Sequence, residues 1–312
     1  MARTVELIYG QTGQTVELVP TEWPEGVPSS ATCSVYDGLK GLDQTAEFSP
    51  SVTVDSVSTT VDAASGYSET QRNKLNLTAT TGIVIGRPYL VENAGGQREL
   101  VVPKKVVSAD YIETESDLAY DYASGATFKG VRMTFPVDAT WVATESKLSL
   151  YKLPPYVAVW TYTVNSVVRR AYTYIRLVRF LWKDLLSIED IKEIRPDIQA
   201  DEWRETRGQQ FKHFIDATCD AVRADILAEG YEPARIRDTE IIAELLRRKF
   251  FAMAGQEGVV PSGRDAELYV ANAKAEYESL RAKTLGALKM NLDEGTEGNA
   301  SENPVRIYSF SR

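Results

Sequence analysis

The period of the hydrophobic pattern changes once along the chain, from two residues to between three and four, and this change decides what each part can fold into. Up to about residue 155, short segments rich in Val, Thr, Ile and Tyr recur every ~8–12 residues between clusters of Gly, Pro, Asn and Asp, the pattern of strands joined by tight turns. Beyond residue 183 the apolar residues return at helical spacing. Trp203, Gln210, Phe211, Phe214, Ile215, Thr218, Val222 and Ile226 form one stripe, and Ile241, Ile242, Leu245, Leu246, Phe250 and Met253 form a second. Tyr269, Ala273, Tyr277, Leu280, Thr284 and Leu288 form a third, narrower one.

The fold class predicted from this change is α+β. An antiparallel β-sandwich or barrel occupies 1–155, a β-hairpin connection 156–182, a helical bundle 183–292 and an extended, flexible tail 293–312. Sandwich and barrel are both open, whereas the absence of a repeat of about 20–50 residues disfavours a propeller or solenoid. Strands are expected at Thr4–Tyr9, Gln14–Leu18, Ala31–Tyr36, Ser51–Val57, Lys74–Thr80, Pro88–Glu92, Arg98–Lys105, Phe128–Phe135 and Ala139–Val142. Asn93–Gly96 reads as a hairpin loop.

After Pro154-Pro155, the segments Tyr156–Val164 and Val167–Val178 flank Asn165-Ser166, a polar pair suited to reversing the chain. Arg169, Arg170, Arg176 and Arg179 stand on or beside the second arm. They read either as a basic stripe that grips phosphate or carboxylates of a partner or as a strand laced with exposed salt bridges. Ser187 and Asp190 form a variant capping box ahead of Ile188–Ile194, with Pro196 as its stop. Gly230 and Pro233 stop a helix over Ala200–Ala228, and a further helix starts at Asp238. In the last helix, 263–292, Ala266, Ala271, Ala275, Ala282 and Ala287 permit close approach of a neighbouring helix, from the same chain or another copy.

The tail is too polar to bury a core until its end, where Val305, Ile307 and Ser309 alternate with Arg306, Tyr308 and Phe310. This tip reads either as a strand added to a partner's sheet edge or as a segment docked back on its own domain.

With 35 Lys plus Arg against 44 Asp plus Glu, the net charge of −9 argues against a general nucleic-acid surface. Val5–Tyr9 is too short for a signal peptide's apolar core or a membrane span, so the expectation is synthesis in a reducing cytoplasm and no membrane partner. Cys33 and Cys219 suit two buried free thiols. His213 is the sole histidine, which leaves neither a zinc set nor a serine-type triad. Gly82–Gly86 lacks the lysine of a phosphate loop, and the acidic stretch 109–121 lacks calcium-loop spacing. No catalytic residue, metal or cofactor is therefore assigned, and the chain is not expected to be an enzyme. One enzyme-class alternative stays open: a carbohydrate-binding or hydrolytic β domain using Trp23, Trp141 or Trp160 beside a carboxylate pair.

The order of the short helix Ser187–Pro196, the helix Ala200–Ala228 with Asp216, Ala217 and Asp220, the helix Glu240–Ala254 and the Ala-rich last helix resembles the bundle of head-to-tail adaptor (connector) proteins of tailed bacteriophages. The resemblance covers residues 183–312. It implies a structural virion protein, made in the host cytoplasm and placed at the head-tail neck, whose copies form a homo-oligomeric ring, a dodecamer in that family. It also implies portal protein and neck or tail proteins as partners, with DNA passing through the channel without specific binding. The family's portal-binding tail maps onto Asn303–Arg312, with Val305, Arg306, Ile307, Tyr308 and Phe310 as contact residues, and no catalytic residue carries over. The β region is then an added domain. A tail, baseplate or fibre component is the alternative within the virion.

Overall fold

A computed structural model of the 312-residue chain describes residues 4–20, 26–39, 41–42, 44–62, 72–107, 111–151, 153–194, 211–237, 239–256 and 264–287. The fold is mixed α+β. Its strands are β1 (Thr4–Ile8), β2 (Thr15–Leu18), β3 (Ser30–Tyr36), β4 (Thr53–Val54), β5 (Ser58–Thr60), β6 (Lys74–Asn76), β7 (Tyr89–Glu92) and β8 (Arg98–Val101). They continue as β9 (Pro103–Val107), β10 (Tyr111–Thr114), β11 (Thr127–Gly130), β12 (Met133–Pro136), β13 (Tyr156–Val164) and β14 (Val167–Val178). The α-helices are α1 (Ala139–Val142), α2 (Ile188–Ile194), α3 (Phe211–Ala228), α4 (Thr239–Gln256) and α5 (Arg264–Ala287).

The chain separates into two compact units, one made of residues 1–5, 12–141 and 156–175 and the other of 6–11, 142–155 and 176–312. The strands form open sheets with the orders β1-β14-β13-β3, β6-β10-β9, β5-β11-β7-β8 and β2-β12-β4, and none closes into a barrel among the described strands.

In the first unit, alternation along each short strand sends one face inward. Leu75 and Leu77 at β6, Ile112 of β10, Tyr89 and Val91 of β7, Val101 of β8 and Phe128 of β11 meet in one core. Tyr89 stacks on Phe128 with centroids 4.9 Å apart. Beside β13, Trp160 is fully buried against Phe135 at 5.0 Å and donates its indole N–H to Thr173 Oγ1 at 3.0 Å. Phe48, Trp141 and Tyr156 continue this aromatic group, at 5.3 and 4.9 Å.

Turn chemistry sets where the expected strands stop. The Asn93 loop is a hairpin joining β7 to β8, with Gly96 at φ 80 and the Asn93 side chain accepting from Gln97 N at 3.0 Å. The predicted strand Arg98–Lys105 divides into β8 and β9, which pair in different sheets, and Phe128–Phe135 divides into β11 and β12 in the same way. At Gly130, where β11 ends, a Cβ would overlap the Asp55 side chain, so only glycine fits the close approach. Ser51–Val57 keeps only Thr53–Val54 as a strand, and β10 emerges within the acidic stretch 109–121. The expected strand Ala139–Val142 is helical because the Asp138 carboxylate accepts from Trp141 N at 2.7 Å, a local cap that competes with extension.

The second unit is built on the helical stripes. Phe214, Ile215, Val222 and Ile226 of α3 and Ile242, Leu245, Leu246 and Phe250 of α4 share one core with Ala273 and Tyr277 of α5, and Phe214 meets Phe250 edge-on at 5.1 Å. Trp203 and Gln210 lie outside the described residues, as does the side chain of Phe211. The capping box holds: Asp190 N donates to Ser187 Oγ at 3.1 Å while Ser187 N donates to Asp190 Oδ2 at 2.9 Å. Gly230, at φ 90, follows α3 as its left-handed stop. No helix among the described residues is long and apolar enough to cross a membrane.

Candidate interaction surfaces

The four arginines at and after β14 go to two different environments. Arg169 and Arg170 are exposed on the hairpin. Arg176 donates from Nη1 to Leu150 O at 3.0 Å and lies 5.0 Å from the Tyr151 ring, and burial lowers its pKa. Arg179 is paired with Glu145, a carboxylate it shares with Arg237 at 3.6 Å. Arg176 and Arg179 are therefore spent inside the second unit, and the exposed basic stretch is limited to the hairpin.

Around Arg176 the second unit holds a polar cluster that no sequence spacing announced. Arg223 pairs with Glu6 at 3.2 Å and lies 5.0 Å from the Tyr151 ring and 5.2 Å from the Trp182 ring. The Tyr151 hydroxyl donates to Glu6 at 3.0 Å. Glu232, only 1% exposed, accepts the backbone N–H groups of Tyr151 at 2.9 Å and Ala234 at 3.2 Å. The two guanidiniums thus meet the Glu6 and Glu232 carboxylates, and Arg223 also pairs with exposed Asp220 at 3.1 Å, so each buried charge has a countercharge, which is the condition for burying it at tolerable cost. Burial raises the Tyr151 pKa well above the ordinary tyrosine range and pushes the Cys219 thiol up to about 12. Both groups stay protonated at neutral pH, which suits a structural clasp and gives no activated nucleophile.

A second polar bridge ties three helices. Asp225 of α3 accepts from Lys249 of α4 at 2.8 Å and from the Tyr277 hydroxyl of α5 at 2.5 Å. Burial works against the Asp225 charge, but these hydrogen bonds outweigh it and hold the carboxyl below its usual range. Arg281 of α5 reaches Glu229 at 2.6 Å, and Arg247 of α4 reaches Asp190 of α2 at 3.0 Å. Arg247, Arg248 and Lys249, in the middle of α4, are in this way bonded to carboxylates on α2, α5 and α3.

With its polar contacts spent inward, α5 keeps an open outer face. At about 100° per residue, Ala273, Tyr277, Leu280 and Thr284 fall on one side, and these are the buried or partly buried positions. Leu268, Ala271, Ala275, Ser279 and Ala282 fall on the opposite side, and all are exposed, Leu268 at 63%. Next to that face a shallow groove of about 470 Å³ runs between α4 and α5, lined by Glu244 and Arg248 on one wall and by Ala275, Glu276, Ser279, Leu280 and Lys283 on the other. Arg248 spans it, bonded to Glu244 at 3.0 Å and Glu276 at 2.5 Å. The sequence points to this surface through its alanines, and its stripe already sets Ala273 on the inside apart from Ala271, Ala275 and Ala282.

The hairpin is the other surface. Asn165 at φ 49 and Ser166 at φ 65 make a two-residue turn of the mirror-image kind, and β13 and β14 pair without interruption from Val164↔Val167 to Tyr156↔Ile175. The first part of β14 exposes Val167, Val168 at 64%, Arg169, Arg170 and Tyr172.

Of the other aromatic candidates, Trp141 and Trp160 are buried and offer no stacking platform for a sugar, and Trp23 lies outside the described residues. The side chain of His213, in the first turn of α3, and the tail residues Val305, Arg306, Ile307, Tyr308 and Phe310 also lie outside them. Among the described residues no three His, Cys, Asp or Glu side chains are grouped to hold a metal ion. The chain matches no protein-family model, no curated protein and no solved structure.

Proposed function

We propose that the chain is a structural virion subunit, a head-to-tail adaptor whose copies form a ring at the head-tail neck between the portal protein and the neck or tail proteins. The observation that supports this reading is the two-sided α5: one face is buried in its own bundle and the opposite face, made of small residues and Leu268, is open. Small side chains let a second helix approach to about 8 Å between axes, and a helix used on both faces fits a subunit repeated around a ring. The net charge of −9 suits a channel through which DNA slides without being held. The strands of the first unit form a β-sandwich that decorates this ring. The core shared by the β6-β10-β9 and β5-β11-β7-β8 sheets supports that arrangement.

Native mass measurement on the purified chain, alone and mixed with the portal protein of its own particle, tests the ring. Oligomers of high, uniform order are expected in at least one of the two, and Ala271→Glu with Ala275→Glu abolishes them while leaving the helical signal intact. A strictly monomeric species in both samples would sink the reading. A trimer or hexamer favours a tail, baseplate or fibre component.

A further inference from the structure

The hairpin strand β14 is twelve residues long and its neighbour β1 only five, so β1 covers one end of it. That end is the C-terminal one, because Tyr9 N donates to Val178 O at 2.7 Å. A two-residue turn closes on a hydrogen-bonded pair, here Val164 with Val167, so the odd-numbered residues Val167, Arg169 and Ala171 direct their backbone groups to β13. The even-numbered residues Val168, Arg170 and Tyr172 direct theirs to the other edge. The use of Val178 O by Tyr9 agrees with this parity, since the pairing register is unbroken along the hairpin. From Val167 to Tyr172 this edge carries no paired strand among the described residues, and it is lined by exposed Val168 and Tyr172. An edge that no described strand covers, with apolar side chains along it, is a template for one more strand.

We infer that this edge receives residues Val305–Phe310 of a second copy of the chain, added as a strand beside Val167–Tyr172. The two segments have equal length, and Pro304 stands where a strand can begin without a donor. From Ala287 to Val305 the chain can span up to about 60 Å when extended, enough to reach a neighbouring subunit. The approach segment 293–304 carries Asp293, Glu294, Glu297 and Glu302 and no base, while the edge carries Arg169 and Arg170. Arg306 is the one base within the added strand. Pairing of two β14 edges with each other is disfavoured, because it sets Arg169 and Arg170 of both copies side by side. The inference needs two copies to meet and does not depend on a ring or a portal.

Mixed disulfide trapping on full-length chains tests it. A Val168→Cys chain is combined with an Ile307→Cys chain or a Tyr308→Cys chain, which present cysteine on opposite faces of the tail, and oxidised glutathione is the oxidant. The native Cys33 and Cys219 are buried, with thiols pushed up to about 12, and do not compete. A covalent heterodimer is expected with one of the two tail positions. Arg170→Pro in the Val168→Cys chain removes the outward N–H together with the Arg170 charge, and the trapped fraction falls about tenfold, or about 1.4 kcal/mol, relative to an Arg170→Gln control that removes the charge alone. Should Arg170→Pro disturb the hairpin, Ile307→Pro in the Tyr308→Cys chain makes the same test from the tail side. Absence of a heterodimer, cross-links confined to Val168→Cys pairs, or a chain with both cysteines that closes only on itself would each overturn the inference.

Discussion

The two compact units keep their polar side chains in different places. In the first, the interior is apolar and aromatic, with Trp160 on Phe135 and Tyr89 on Phe128, and its buried polar groups are neutral, as in the hydrogen bonds of Trp160 to Thr173 and of Val84 N to the Tyr89 hydroxyl. In the second, charged groups cross the packed region, with Asp225, Lys249 and Tyr277 linking α3, α4 and α5, and Glu6 facing Arg223. The difference follows from how each kind of element satisfies its backbone. A strand must find its hydrogen bonds on a neighbour, so ladder and pleat already fix its position. A helix closes its bonds within itself, so its place beside another helix is left to side chains, and specific polar pairs select one register among several apolar ones.

Substitutions can break this contrast, and the largest effect is expected in the aromatic interior. Trp160→Ala leaves a large cavity and orphans Thr173, and should cost about 3–5 kcal/mol in denaturant-induced unfolding. A loss below about 1 kcal/mol would show that the strands are held by their ladders alone. Gly130→Ala comes next, at about 3 kcal/mol, because the new Cβ overlaps Asp55, whose carboxylate accepts from Val57 N at 3.0 Å. Thermal unfolding of that variant reads the effect directly, and an unchanged Tm means that Asp55 moves aside freely.

Asp225→Asn tests the helical side, with an expected loss of about 2 kcal/mol as charge-assisted bonds to Lys249 and Tyr277 weaken. Its pH dependence carries the sign. The folded pKa of Asp225 is depressed, so the stabilisation is present above the unfolded value near about 4 and is lost as pH falls through the folded value. The wild-type chain should therefore lose stability on acidification in a range where Asp225→Asn shows a smaller dependence, and parallel curves would remove the assignment. Ser187→Ala is the smallest, at about 1 kcal/mol, since it removes one cap of the short helix α2 while Arg247 still holds Asp190. Loss of α2 protection in hydrogen exchange checks it.

Local signals in the chain were legible wherever their cause was local. The hairpin 156–178, its Asn165-Ser166 turn, the Asn93 loop, the Ser187–Asp190 cap and the Gly230 stop all depend on a few adjacent residues, and each stands where its spacing puts it. Ala139–Val142 misled because four residues cannot distinguish a strand from a capped turn, and the cap came from Asp138, one position earlier. The close approach of Asp55 to Gly130, where β11 ends, was illegible because the two residues lie far apart in the chain.

Of the interaction surfaces, the sequence marked the arginines without saying which of them face outward, whereas its helical stripe already set Ala273 apart from the other alanines of the last helix. Burial divides Arg169 and Arg170 from Arg176 and Arg179, and it divides Ala273 from Ala271, Ala275 and Ala282. The cluster around Glu232 and Arg223 gave no sign at all, because Glu6 and Arg223 are 217 positions apart. By itself, then, the sequence determined the change from strand to helix, the Asn93 and Asn165 turns and the helix ends at Ser187 and Gly230, since periodicity and backbone preference act over a few residues. The tertiary structure alone decided which charges are buried, which part of the β14 edge no described strand covers and which described positions of α5 remain exposed. Those outcomes depend on contacts between residues that only folding brings together.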